Sequence, residues 1–212
     1  MFMAQNIINH NGYGYLYNWY AASNSKIAPS GWHIPSNSEF ISLSSYLGGD
    51  SISGLHLKEA GYTHWIKPTS PLSGDNSSGF NGYGGGVAGL VFNGLGQNGY
   101  FWSTTDQMYG NAYSMTVQNT TNLCNPSFPD YYNLGFSLRL LKNDSINPGT
   151  VTDYDGNVYN CVTIGTQVWI NKNFICIHLN DGTIIPNVTD RTAWDSLTTL
   201  AWCVFNNDYS YK

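Results

Sequence analysis

Charge is scarce in this chain. Asp, Glu, Lys and Arg together make up 10% of its 212 residues, against roughly 25% in an ordinary soluble domain. Eight residues are Lys or Arg, no two of them adjacent, and the net charge is −5. Nucleic acid is therefore not expected as a partner, because phosphate neutralisation needs clustered basic side chains. Long apolar runs are missing as well. None approaches the roughly 18–20 residues of a membrane helix, so no membrane insertion is expected. Met1 to Asn11 has neither a basic start nor a long apolar stretch, so no secretion signal is read there.

Cysteine is sparse and badly spaced for metal. Cys124, Cys161, Cys176 and Cys203 match no zinc pattern. Four cysteines allow one disulfide but do not make a disulfide scaffold. Cys161, Cys176 and Cys203 stand in apolar, strand-like surroundings and read as small buried hydrophobes. Cys124 lies in a polar stretch and reads as exposed.

Catalytic patterns are missing too. Ser103 follows Trp102 and not a nucleophile elbow. Gly84-Gly-Gly86 lacks the Lys-Ser/Thr of a phosphate loop and reads as a tight backbone crossing. Asp153-x-Asp155-Gly-Asn157 begins like a calcium loop. The acid required six residues past its glycine is Val162, so a hairpin turn is the better reading. His33 and His64 each adjoin a tryptophan and read as structural, while His56 and His178 have no acidic or cysteine partner at ligand spacing. Phe128-Pro-Asp130 and Asn206-Asn-Asp208 only echo the calcium motifs of sugar sites. No catalytic residue, metal or cofactor is expected.

What is abundant is aromatic and uncharged polar. Aromatics reach 15%, with 16 Tyr and 7 Trp. Gly12 to Ala22, with Tyr13, Tyr15, Tyr17, Trp19 and Tyr20, reads as a buried aromatic strand or short helix rather than a sugar-stacking platform. Ser36-Asn-Ser-Glu39 is a capping box, with Phe40, Leu43 and Leu47 following at helical spacing before Gly48-Gly49. A second helix is expected over Leu55–Ala60. Thr69 to Gly99 reads as a long ordered loop. Three strands are expected next, Tyr100–Ser103, Ala112–Val117 and Gly135–Leu141, with a broad loop from Gln118 to Asn133 before the last. Residues 143–149 form a linker. Beyond it come a hairpin turning at Asp155-Gly156, another turning at Gly165, a helix capped by Asp190 and a closing strand over Thr199–Phe205. The fold class is α+β, with short antiparallel strands, two or three short helices and long ordered loops.

Several of these pieces, taken together, resemble the Fibrobacter succinogenes major paralogous domain, a bacterial surface and phage module. They include Gly14-Tyr-Leu-Tyr-Asn-Trp-Tyr-Ala21, Ser30-Gly-Trp-His-Ile-Pro-Ser36, Tyr46-Leu-Gly-Gly49, Leu57-Lys-Glu-Ala-Gly61, Asn76-Ser-Ser-Gly-Phe80, Tyr100-Phe-Trp-Ser103 and Gly135-Phe-Ser-Leu-Arg139. The resemblance covers nearly all of 12–142, the main body, preceded by an extension at 1–11. Residues 150–212 resemble the opening part of the same family through Asp153-Tyr-Asp-Gly-Asn-Val-Tyr159, Ile164-Gly-Thr-Gln-Val-Trp169 and Asn180-Asp-Gly-Thr183. That order implies a circular permutation, or a register cut from a head-to-tail array. The opening part would complete 12–142 in the same chain or in a neighbour. Relatives often carry Cys where this chain has Ala28 and Leu140, as if a disulfide had been lost as a unit.

The family is similar to the C-type-lectin-like and formylglycine-generating-enzyme fold group. Some members resemble variable proteins diversified by retroelements, whose variable residues lie between a Trp-Ser strand and a Gly-Phe-Ser-x-Arg strand. The same interval here is nearly uncharged and rich in Tyr, Asn, Ser and Thr, a composition suited to contact surfaces. The resemblance thus implies a non-catalytic recognition face. Its candidate residues are Thr104, Thr105, Asp106, Met108, Tyr109, Asn111, Tyr113, Gln118, Asn119, Asn122, Asn125, Phe128, Asp130, Tyr131, Tyr132 and Asn133. The partner expected is a host-surface protein or glycan, and the location a virion or the cell surface. The alternative is a structural assembly protein that self-associates through 150–212. With no secretion signal read, a virion protein, another export route and a non-native chain boundary all stay open.

Overall fold

Local rules set many of the elements. The computed structural model describes residues 12–69 and 73–212, so the extension at 1–11 lies outside the described residues. Along the chain run β1 (Leu16–Tyr17), α1 (Trp19–Ala22), β2 (Trp32–His33), α2 (Asn37–Tyr46) and α3 (Ser53–Leu57). Next come β3 (Gly85–Ala88), β4 (Phe92–Leu95), β5 (Asn98–Met108), β6 (Asn111–Gln118), β7 (Cys124–Tyr131) and β8 (Leu141–Lys142). The last stretch holds β9 (Thr150–Thr152), β10 (Val158–Ile164), β11 (Gln167–Ile170), α4 (Arg191–Asp195) and β12 (Trp202–Cys203). The molecule is α+β, with short helices and antiparallel strand pairs.

The capping box forms as expected. Ser36 accepts from the Glu39 amide, and the Glu39 carboxylate accepts from the Ser36 amide at 2.7 Å. Asp190 likewise caps α4 by accepting from the Ala193 amide at 2.7 Å. Both expected hairpin turns are present, at Gly156 (φ 82°) and Gly165 (φ 61°). The Asp153 carboxylate is taken up by its own turn. It accepts from the Asp155 and Asn157 amides and from the Tyr159 hydroxyl, at 3.0, 2.9 and 2.6 Å.

Four expectations about the elements need correction. First, β7 occupies what reads as a broad loop from Gln118 to Asn133. Second, the stretch from Thr69 to Gly99 contains the β3–β4 hairpin, although residues 70–72 lie outside the described residues. Its glycines are steric: a Cβ on Gly86 would sit 2.5 Å from the Asn93 carbonyl oxygen, which supports the tight crossing. Third, the helix expected over Leu55–Ala60 ends at Leu57, because Lys58 and Ala60 are drawn into bridges with Gly82 and Gly74. Fourth, Gly135–Leu141 is not a regular strand. It bonds in turn to Ala88, Tyr17 and Phe101, then enters β8 at Leu141. Gly135 is required there, since a Cβ would lie 2.8 Å from the Trp194 ring.

Residues 150–212 pack onto 12–142. The five-stranded sheet has the order β2-β8-β11-β10-β9 and so draws strands from both parts. β12 pairs with β1 through Leu16 and Cys203. The three-stranded sheet β5-β6-β7 stands apart from the five-stranded one, and at its root both faces are buried. One face sends Phe101, Met115, Val117 and Cys124 into a cluster with Phe40 and Trp169. The other sends Trp102 and Ala112 into a cluster with Tyr17, Phe136 and Tyr159. The latter cluster also holds Ala28 and Leu140. All four cysteines are free, and Cys124 is buried against expectation, because β7 turns it inward opposite Val117. Cys161 is half-buried.

Two of the histidines differ from expectation. His56 approaches Asp75, and His178 hydrogen-bonds Asp155, partners supplied by neighbouring loops. His33 sits between Glu39 and Asn143, and His64 approaches Glu59 at 2.9 Å.

Arg139 is the fully buried joint between the parts. Its guanidinium donates to the carbonyls of Phe80 (2.5 Å), Asn81 (2.7 Å) and Ile170 (3.2 Å), and to Asn173 Oδ1 (2.9 Å). It also lies 4.6 Å from the Phe80 ring centroid. Burial lowers its pKa to about 9, so it stays protonated at neutral pH. Lysine cannot reproduce this planar fork. Arg139→Lys is expected to cost about 3 kcal/mol or more in urea denaturation, because several buried acceptors lose their donor. A cost under about 1 kcal/mol would contradict that role.

Candidate functional site

Pairing in the β5-β6-β7 sheet determines which candidate residues share a face. Ser114 stands opposite Trp102 and Phe128, and Ala112 opposite Asp130. Side chains alternate along a strand, so Tyr100, Ser114, Phe128 and Asp130 share one face. Tyr113 opposite Pro129, and Asn111 opposite Tyr131, lie on the other. The candidate set therefore spans both faces. It also spans both ends, since the eight residues of β6 extend about 23 Å.

The outer end is a hairpin tip. Met108 pairs with Asn111 across Tyr109-Gly110. Met108 (φ 72°), Tyr109 (φ 54°) and Gly110 (φ 84°) are all left-handed. For Met and Tyr this conformation is unfavourable, and such strain clusters at functional sites. Asp106 steadies the tip by accepting from the Met108 amide at 2.7 Å and from the Tyr132 hydroxyl. Those bonds hold the Asp106 carboxyl below its ordinary range. Tyr132 stacks on Trp19 with centroids 4.2 Å apart. Burial and the Asp106 carboxylate together raise its hydroxyl to about 12. Met108 is 67% exposed, Tyr109 96% and Tyr131 65%.

Other candidates belong to the scaffold. Thr105 Oγ1 accepts from the Asn37 amide at the start of α2 (2.9 Å), and the Thr104 amide donates to the Pro35 carbonyl (2.9 Å). Asn119 is buried and donates to the Ile66 carbonyl at 2.8 Å. Asn133 donates to the Asp195 carbonyl at 2.8 Å, while its own carbonyl accepts from the Trp194 indole. Gln118, Asn122 and Asn125 sit at the far end of the sheet. There Lys58 donates to the Gln118 carbonyl, and the buried Asn122 Oδ1 has no partner among the described residues. These residues do not join the tip.

Two clefts flank the outer half of the sheet. One, of about 300 Å³, lies on the Phe128 face. The β3–β4 hairpin walls it with Val87, Leu90 and Val91, while Tyr100 and Phe136 stack at 4.7 Å beneath. Asp130 lines it and is only 8% exposed. Its Oδ2 accepts from Ser114 Oγ at 2.6 Å, and burial pushes its carboxyl up to about 6. The other cleft, of about 240 Å³, lies between the tip and α4, bordered by Tyr20, Tyr131, Tyr132 and Leu197. Leu90, Val91 and Leu197 are additions to the candidate set. The short run Val87-Ala-Gly-Leu-Val-Phe92 was the available signal, masked by the surrounding glycines.

The site is thus a strained, aromatic-tipped hairpin between two clefts, raised on an α+β scaffold. The sequence profile of the Fibrobacter succinogenes major domain matches residues 2–142, and the chain belongs to that family. Comparison with curated proteins and with solved structures finds no match.

Two outcomes follow from this geometry. Tyr109→Gly is expected to be more stable than Tyr109→Ala by about 0.5–1 kcal/mol, because only glycine is unstrained at this φ. Thermal denaturation of the pair checks this, and equal stabilities would contradict it. For Asp130 the folded pKa lies above the unfolded one. Its favourable contribution is full below the ordinary carboxylate pKa of 3.8 and is lost as pH rises through about 6. Relative to Asp130→Asn, the parent protein should lose about 2 kcal/mol between pH 4 and pH 7.5. Parallel stability profiles for the two proteins would contradict the assignment.

Proposed function

We propose that the chain is a non-catalytic recognition module of lectin-like fold. It presents the Met108–Tyr109 tip with Tyr113 and Tyr131 to a host-surface protein or glycan, from a virion or a bacterial surface. The near-complete exposure of Tyr109 on a left-handed turn carries this reading. A large aromatic residue kept outside the core at a conformational cost contributes little to folding, and tyrosine is an effective contact residue. The hairpin is anchored at its root by two buried clusters, so its tip can vary without disturbing them. Tyr109→Ala and Tyr131→Ala are each expected to weaken binding to intact cells or to a glycan array at least tenfold. Their melting temperatures should stay within about 2 °C of the parent. Unchanged binding, or a matching loss of fold, would overturn the reading.

A second reading is assembly. Residues 143–149 are exposed along their whole length, and the two parts meet through β1–β12 and β8–β11. If 150–212 is the family's opening part in permuted order, it can complete its own chain or the next, as in strand complementation. Light-scattering mass at two widely separated concentrations decides between them. A constant mass near 23.4 kDa supports closure within one chain. Growth of mass with concentration favours exchange and assembly.

A further inference from the structure

The cleft beside Phe128 has an unusual chemistry for its size. Its walls are apolar and its rim, formed by Leu90, Val91 and Phe128, is exposed. Among the described residues the one carboxylate lining it is Asp130, more than nine-tenths buried. Its Oδ2 accepts from Ser114 Oγ at 2.6 Å. Among the described residues no Lys, Arg or His lines the cleft. A buried carboxylate without a counter-charge is costly, and a cation delivered to it removes that cost.

We propose that this cleft is a subsite for a cationic amine carried on an apolar stem, with Asp130 as its counter-ion. The inference deepens the recognition reading, on which the use of this sheet rests. Charge complementarity selects a cation and excludes anions. The apolar walls select a hydrocarbon stem over a sugar, and about 300 Å³ is at the small end for a ligand pocket. Tyr100, Phe128 and Phe136 add aromatic surface for the ammonium group. The exposed rim hydrophobes are the groups that such a stem would cover. The amine can be a free small molecule or a lysine side chain of a partner protein, since both present the same chemistry.

The test is a titration followed by two-dimensional NMR of the full chain. Benzylamine is the probe, benzyl alcohol the neutral comparison, and an end-capped peptide with a single lysine the third arm. At pH 7.5 benzylamine should bind at least tenfold more tightly than benzyl alcohol, with shifts at Tyr100, Phe128 and Leu90. Asp130→Asn should abolish that preference, and Phe128→Ala, on the exposed rim, should weaken both probes. The groups facing the carboxyl are Tyr100 from β5, Ser114 from β6 and, across the cleft, Asn93 from the hairpin. The preference should therefore fade as Asp130 gains its proton below pH about 6. Tighter binding of the peptide than of benzylamine would place the source in a partner protein, and the reverse would place it in a small molecule. Either ranking supports the subsite. Equal binding of amine and alcohol, a preference that survives Asp130→Asn, or no saturable binding by any cationic arm would overturn it. If that happens while Tyr109→Ala still abolishes surface binding, the subsite fails and the recognition reading stands.

Discussion

The structure depends on one buried cation. Arg139 reaches the loop at Phe80–Asn81 on one side and Ile170 and Asn173 on the other, so it ties 12–142 to 150–212. Among the described residues it has no carboxylate partner in direct contact. Its charge is dispersed over backbone and amide oxygens and the faces of Phe80, Tyr83 and Phe101. Asn173 extends the network by donating to the Tyr13 carbonyl (2.7 Å) and Ser137 Oγ (3.0 Å). A buried charged hub of this kind disfavours any arrangement that keeps it buried without these acceptors. Residues 134–141 can pass between the sheets without joining any one of them over its length because Arg139 and Gly135 hold that path open.

A scaffold fixed in this way leaves the outer half of β5-β6-β7 free of structural duty at specific positions. Phe101, Trp102 and Met115 anchor the sheet, whereas Met108, Tyr109 and Tyr131 do not. At the root both faces are buried, whereas at the outer end of β7 neighbours in sequence take opposite roles. Asp130 is buried, and Tyr131 beside it is exposed. A continuous stretch of polar and aromatic sequence therefore mixes exposed residues with supporting ones.

What was legible in the sequence was short-range. The Ser36 capping box, the Asp190 cap and the Gly156 and Gly165 turns follow from chemistry contained within a few residues. β7 was hidden because Pro126, Pro129 and its polar residues argue against a strand. It exists as an edge strand paired only with β6, with a bulge beside Pro126, where missing amide donors do little harm. The β3–β4 hairpin was hidden by glycines that are demanded by close contacts, not by looseness. For the candidate site, composition pointed to the β5–β6 hairpin and its surroundings. It could not separate exposed Tyr109 from scaffold Asn119 and Asn133, since those roles are decided by partners 53 to 62 residues away. The Asp130 cleft needed the β3–β4 hairpin to be seen at all.

The central claim is that the proposed recognition tip and the fold are energetically separate. A saturation library over Met108, Tyr109 and Tyr131, with Trp102 and Arg139 as comparison positions, scored for folded protein by protease resistance, tests it most directly. The account predicts that most substitutions at the three tip positions leave the protein folded, while nearly all at Trp102 and Arg139 do not. Tip positions as intolerant as Trp102 would show that these side chains serve the fold, and would contradict the account.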